Sequence, residues 1–117
     1  MRDAELIIGD DCGFSGTVLF AASSVRIGNR VLCGANTSVV DTDFHPLDAN
    51  ARANHGSAEP VPTVIEDDVW LGMNVVVLKG CHIHKRSIIA ANSLVTRSIP
   101  PDVVAGGYPA KVLKRLK

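Results

Sequence analysis

A six-residue period running unbroken from Ile65 to Pro100, its return upstream, and an aliphatic but aromatic-poor composition predict an all-β chain, a parallel β-helix. Aliphatic residues fall at Ile65, Leu71, Val77, Ile83, Ile89 and Val95, and four places after each come Val69, Val75, Cys81, Ser87, Ser93 and Ile99. A helix would place apolar residues three and four apart and a half-buried strand would alternate them, so neither explains the spacing. One hexad supplies one flat side of about 20 Å together with its turn. Three sides close a triangular coil, and stacked coils bury one shared core.

Taken in order, the first coil places Ile8, Phe14 and Phe20 in phase and the second Ile27, Cys33 and Val39. The step from Phe20 to Ile27 carries one extra residue, read as a bulge or widened corner. Residues 41–63 leave the repeat: Asp41-Thr42-Asp43-Phe44-His45-Pro46-Leu47-Asp48 opens a polar run that returns through Pro60-Val61-Pro62. A loop this long inside so regular a structure points to function, and it is expected to stand off the prism and reach a neighbour. The hexads resume at Ile65 and stop at Ile99-Pro100-Pro101. Counting three hexads to a coil gives about four coils, stacked about 4.8 Å apart. In the C-terminal segment, 101–117, Gly106-Gly107-Tyr108-Pro109 makes a turn, and the spacing of Val112, Leu113 and Leu116 predicts a short terminal helix with those residues inward.

Composition narrows the function classes. The 117 residues make one domain, 1–117, whose 46% hydrophobic and 4% aromatic share suits a narrow interior of Val, Ile and Leu. So short a stack leaves open sheet edges, which end caps or neighbouring chains must cover. A formal net charge of zero argues against a nucleic-acid or lipid-headgroup partner. No stretch spans a membrane and Met1-Arg2-Asp3-Ala4-Glu5 leads into no signal-peptide core, so the cytoplasm is the expected compartment. Cys12, Cys33 and Cys81 are an odd count without CxxC spacing and occupy repeat positions that want a small apolar residue. They read as filler.

The hexads, the Asp-Phe-His-Pro-Leu-Asp entry to the loop, the Val69-Trp70-Leu71-Gly72 return and the ending Gly106-Gly107-Tyr108-Pro109-Ala110-Lys111 together resemble the hexapeptide-repeat acyltransferases. The nearest likeness is to the maltose and galactoside O-acetyltransferases and the sugar O-acetyltransferases of surface-polysaccharide synthesis, and it covers the chain from Ile8 onward. The resemblance implies a left-handed parallel β-helix, a homotrimer with three clefts between neighbouring prisms, and acetyl-CoA lying along each cleft with its thioester near the loop histidine. Many relatives cover the first coil with an N-terminal helical segment; here the chain begins almost directly on the first hexad, so it is either minimal or lacks that piece.

The chemistry asks for a base, because a sugar hydroxyl is a poor nucleophile at neutral pH. His45 is the candidate, since an imidazole with an ordinary pKa of about 6.5 serves as base and then acid at working pH. Pro46 restricts His45 to extended backbone and so fixes where its ring points. Asp43, Asp48 or a backbone carbonyl would orient the ring. Position by position, the resemblance sets Trp70, Gly72 and Met73 toward the pantetheine arm and Ala91, Thr96 and Arg97 toward the nucleotide. It brings Lys111 and Lys114 to the phosphates. Trp70 reads equally well as a bulky corner residue, and Met73 departs from the small polar residue usual at its place.

The acceptor is expected to be a small hydroxylated molecule, a saccharide above all, with Ser15 and Ser23 as candidate contacts from the first coils. The Asn and Asp that hold the sugar in the galactoside and maltose enzymes are not matched there. His82-Ile83-His84 places two histidines on one strand face, but with no third ligand evident no metal is expected. Three rival readings remain: acetylation of an antibiotic hydroxyl, a non-catalytic trimeric β-helix scaffold, and a γ-type carbonic anhydrase with zinc at the trimer interface.

Overall fold

Three hexads close one coil, so the chain stacks on itself column by column: Ile8 pairs with Ile27, Ile27 with Ile65 and Ile65 with Ile83. The computed structural model describes residues 3–117 and shows a left-handed parallel β-helix. Met1 and Arg2 of the N-terminal reading lie outside the described residues. The first coil is built from β1 (Glu5–Ile8), β2 (Gly13–Phe14) and β3 (Val18–Phe20), and the second from β4 (Ser24–Ile27), β5 (Leu32–Cys33) and β6 (Ser38–Val40). After the loop, which carries the short helix α1 (Ala49–Ala53), come β7 (Thr63–Ile65), β8 (Trp70–Leu71) and β9 (Val76–Val77). The fourth coil is β10 (His82–Ile83), β11 (Ile88–Ile89) and β12 (Leu94–Val95), and β13 (Val103–Gly107) and β14 (Ala110–Arg115) end the chain. The sides of the prism are the sheets β1-β4-β7-β10, β2-β5-β8-β11-β13-β14 and β3-β6-β9-β12.

Inside, the columns of the repeat meet. Val25, Ile65, Leu71, Ile83, Ile89 and Val95 are fully or almost fully buried, each worth about 1.5–3 kcal/mol of burial. Cys33 and Cys81 fill core positions; burial pushes the Cys33 thiol up to about 11 and raises that of Cys81 as well. Thiols so deprived of water stay protonated and unreactive. In the first coil the same columns face solvent, and Leu6 and Ile8 are 45% and 43% exposed because no coil of the described residues covers them.

Two expectations are corrected. Leu19, not Phe20, stands in register with Val39 and packs on the core, while Phe20 pairs with Val40 and is exposed. The widened corner therefore spans more than one extra residue before β4. The terminal segment is no helix: β14 runs antiparallel to β13 with a register shift at Val104/Ala105, and Val112, Leu113 and Leu116 are exposed. A helix of one or two turns gains little in water, whereas the open edge of β13 offers a ready ladder. Gly106 is buried against the fourth coil, where an added Cβ would lie 2.8 Å from that of Ala90. Among the described residues no helix is long and apolar enough to cross a membrane.

Candidate active site

The loop is held at its base by one carboxylate. Asp41 is fully buried, and it accepts the backbone N–H groups of Ala22 at 2.8 Å and of Ser23 and Ser24 at 2.7 Å each. Ala22 and Ser23 belong to the widened corner and Ser24 opens β4, so Asp41 satisfies donors where the irregular corner enters the sheet. Its own carbonyl takes the N–H of Val61 at 2.9 Å, which closes the loop's two ends together. Further out, the Thr42 hydroxyl accepts the N–H of Phe44, which sits at φ +68°, and the Phe44 ring lies 4.8 Å from that of Phe20.

These contacts set His45 at the protein surface. Its N–H donates to the Asp43 carbonyl at 2.8 Å, and its ring lines a cavity of about 490 Å³ with Phe20, Phe44, Arg52, His55 and Ser57. A second hollow of about 170 Å³ adjoins it, bounded by Asp43, Leu47, Glu59 and Lys79. Arg52 holds the loop's shape by donating to the carbonyls of Pro46 at 3.2 Å and Leu47 at 2.6 Å. The two carboxylates expected to orient the ring are engaged elsewhere. Asp43 pairs with Lys79 at 2.8 Å, and Asp48 caps α1 by accepting the Ala51 N–H at 2.9 Å. Asp43 still lines the smaller hollow together with His45, whereas Ser15 and Ser23 line neither cavity beside it.

The residues assigned to the cofactor form two groups away from the loop. Trp70 stands on the outer face of its sheet, 51% exposed, in line with Leu32 below and Ile88 above. Met73 is exposed beside it, whereas Gly72 answers to stacking: a Cβ there would come within 2.8 Å of the Ala91 nitrogen. Thr96, Arg97 and Lys111 line one cavity of about 500 Å³ with Pro109 and Ala110. Lys114 lies on β14 opposite Val104, outside that lining, and Ala91 is exposed at its corner. The structure thus joins Thr96, Arg97 and Lys111 and leaves them in a separate cavity from His45.

Two residues escape a reading of the sequence alone. Asp41, directly after Val39-Val40, looks like the first polar residue of a loop although it is a buried anchor. Glu66, the third member missing beside His82 and His84, stands one coil below His84, and the hexad count already placed it there. Its carboxylate lies 2.5 Å from His82 Nε2 and 3.2 Å from His84 Nδ1.

Residues 62–97 match the family model of the bacterial transferase hexapeptide, six repeats. A galactoside O-acetyltransferase of Lactococcus lactis is 40% identical over 94 residues, which are 80% of this chain and 44% of that protein. Among solved structures, a hexapeptide-repeat acetyltransferase of Vibrio cholerae complexed with acetyl coenzyme A is 40% identical with a TM-score of 0.88, over 96% of this chain and 61% of that one. A maltose O-acetyltransferase of Clostridium difficile is 31% identical with a TM-score of 0.88, over 96% of this chain and 59% of the other. The chain spans about half the length of the curated relatives it matches. By repeat, sequence and fold, the chain is a left-handed β-helix that carries bacterial transferase hexapeptide repeats and is similar to these acetyltransferases.

Proposed function

We propose that this chain is the β-helix domain of an acetyl-CoA-dependent O-acetyltransferase acting on a hydroxyl of a saccharide-like acceptor, with the cleft completed by a neighbouring copy in a homotrimer. The observation that carries the reading is the likeness, over nearly the whole chain, to the Vibrio cholerae acetyltransferase complexed with acetyl coenzyme A. The residues present fit that co-substrate. Arg97 and Lys111 bring two cations to one cavity, suited to phosphates, and the Leu32–Trp70–Ile88 face offers apolar surface to an extended thiol arm. The acceptor hollow mixes the rings of Phe20 and Phe44 with Arg52, His55 and Ser57. An apolar wall and a polar rim are what a sugar ring, apolar on its faces and hydroxylated at its edges, asks of a site.

Bound acetyl-CoA supplies an activated acetyl carbonyl. His45 takes the proton of the acceptor hydroxyl as its oxygen attacks, and hands a proton to the departing thiolate sulfur. Pro46 keeps the His45 backbone extended, and the Asp41 and Thr42 anchors fix the loop. Asp43 is held by Lys79 and Asp48 by the cap of α1, which leaves a backbone carbonyl as the remaining candidate within the chain to orient the ring. General-base catalysis is worth about 10²–10⁴-fold. His45→Ala should lower turnover by at least about a hundredfold while acetyl-CoA affinity and molar mass in solution stay unchanged. Activity within a few-fold of the parent would end the assignment.

A further inference from the structure

We infer that Glu66, His82 and His84 form a binding site for one divalent first-row transition ion, Zn²⁺ above all, that links the third and fourth coils outside the two cavities beside His45. Glu66 follows β7, His82 lies in β10 with its side chain outward, and His84 begins the next corner, directly above Glu66. Two of these positions fall in a column where the first two coils carry Gly9 and Gly28. Side chains appear there only where they face each other. The ligand atoms of all three residues lie within 4.8 Å of one another, and all three side chains are half-buried. Tetrahedral zinc, with Zn–N of about 2.0–2.1 Å, needs donors roughly 3.3 Å apart, a small spreading from the present 2.5 and 3.2 Å.

Two features prepare the cluster for a cation. The two imidazoles stack with centroids 4.0 Å apart and planes 7° from parallel, both turned to the same carboxylate oxygen, Oε2. Each ring thus aims one nitrogen at a single point, where a bound ion would take the place of the hydrogen that His82 Nε2 now shares with Oε2. The other oxygen of Glu66, Oε1, already accepts the Lys85 N–H at 3.1 Å, which fixes the carboxylate and leaves Oε2 to ligate. Two imidazoles with one carboxylate select zinc, nickel or copper over calcium or magnesium. Because the ligands come from successive coils, the ion would act as a cross-coil clamp. Solvent completes its coordination.

The test is equilibrium dialysis of the tag-free chain against zinc chloride, with metal counted by elemental analysis, and thermal melts with and without the ion. One equivalent of Zn²⁺ per chain and a melting temperature raised by about 5 °C or more are expected. Glu66→Gln and His84→Gly, which keep the corner's shape, should each weaken binding about tenfold or more, whereas the His45→Ala, His55→Ala double variant should bind as the parent does. No stoichiometric zinc, or binding that survives both cluster variants, overturns the site.

Discussion

Asp41 shows how one side chain converts an irregular coil into a usable loop. The consecutive N–H groups of Ala22, Ser23 and Ser24 converge on it. A buried donor left without a partner costs about 1–3 kcal/mol. Asp41→Ala should therefore destabilise the fold by about 3 kcal/mol or more, and Asp41→Asn nearly as much, because its amide would turn a donor toward donors. Urea unfolding of the two variants measures this, and a change under about 0.5 kcal/mol would show that water takes over the three donors. Residue-scale chemistry of this kind is barely legible in sequence. The exposed place of His45 was readable because an imidazole before proline, in an off-repeat loop, has no packing to do there. The roles of Asp41, Asp43 and Asp48 were not, since an acidic residue in a polar loop looks the same whether it anchors, pairs or caps.

Among elements, the corners repay the closest reading, because a turn repeated in every coil must solve the same backbone problem each time. One corner column uses Asn36, Asn74 and Asn92 in the left-handed region, at φ of +60°, +56° and +61°. Their amides form a ladder: Asn36 donates to Asn74 at 2.9 Å and Asn74 to Asn92 at 3.0 Å. Another column alternates charge through Arg30, Asp68, Arg86 and Asp102, with Arg30–Asp68 at 2.7 Å and Arg86–Asp102 at 2.6 Å. Asparagine tolerates positive φ better than other residues with a Cβ, so it serves both demands. Asn74→Gly keeps the backbone free and loses only the ladder bonds, whereas Asn74→Ala loses both. Urea midpoints should rank parent above Gly above Ala, with Ala about 1–2 kcal/mol below Gly. An Ala variant as stable as Gly would mean that the corner relaxes out of the left-handed region. The hexad period made the first four coils and their columns legible, since a repeat of six has no other regular home, but not the further turn begun by Ile99 on Ile83 and β13 on β11. It gave no help past Ile99, where Ala110–Arg115 became a strand because the exposed edge of β13 was beside it.

The whole molecule poses a question that one chain does not answer: His45 and the Thr96–Arg97–Lys111 cavity occupy separate hollows, while the Leu32–Trp70–Ile88 face lies open. A monomer displays three partial surfaces. In the proposed trimer, the loop of one chain would meet the cofactor wall of the next, which turns them into one cleft. Co-expression of two inactive chains tests this directly. One carries His45→Ala, and the other carries Arg97→Glu with Lys111→Glu, each exposed and remote from the core. If the cleft is shared, random assembly pairs an intact loop with an intact wall in about one cleft in four, so about a quarter of parental activity should return. If loop and wall of a single chain make the site, every cleft inherits one lesion and the mixture stays as inactive as its parts. The same preparation in a sedimentation experiment should run at three times the chain mass. Under the proposed function, a β-helix with rigid stacked columns and flat sides would complete its active site by setting two such sides against each other.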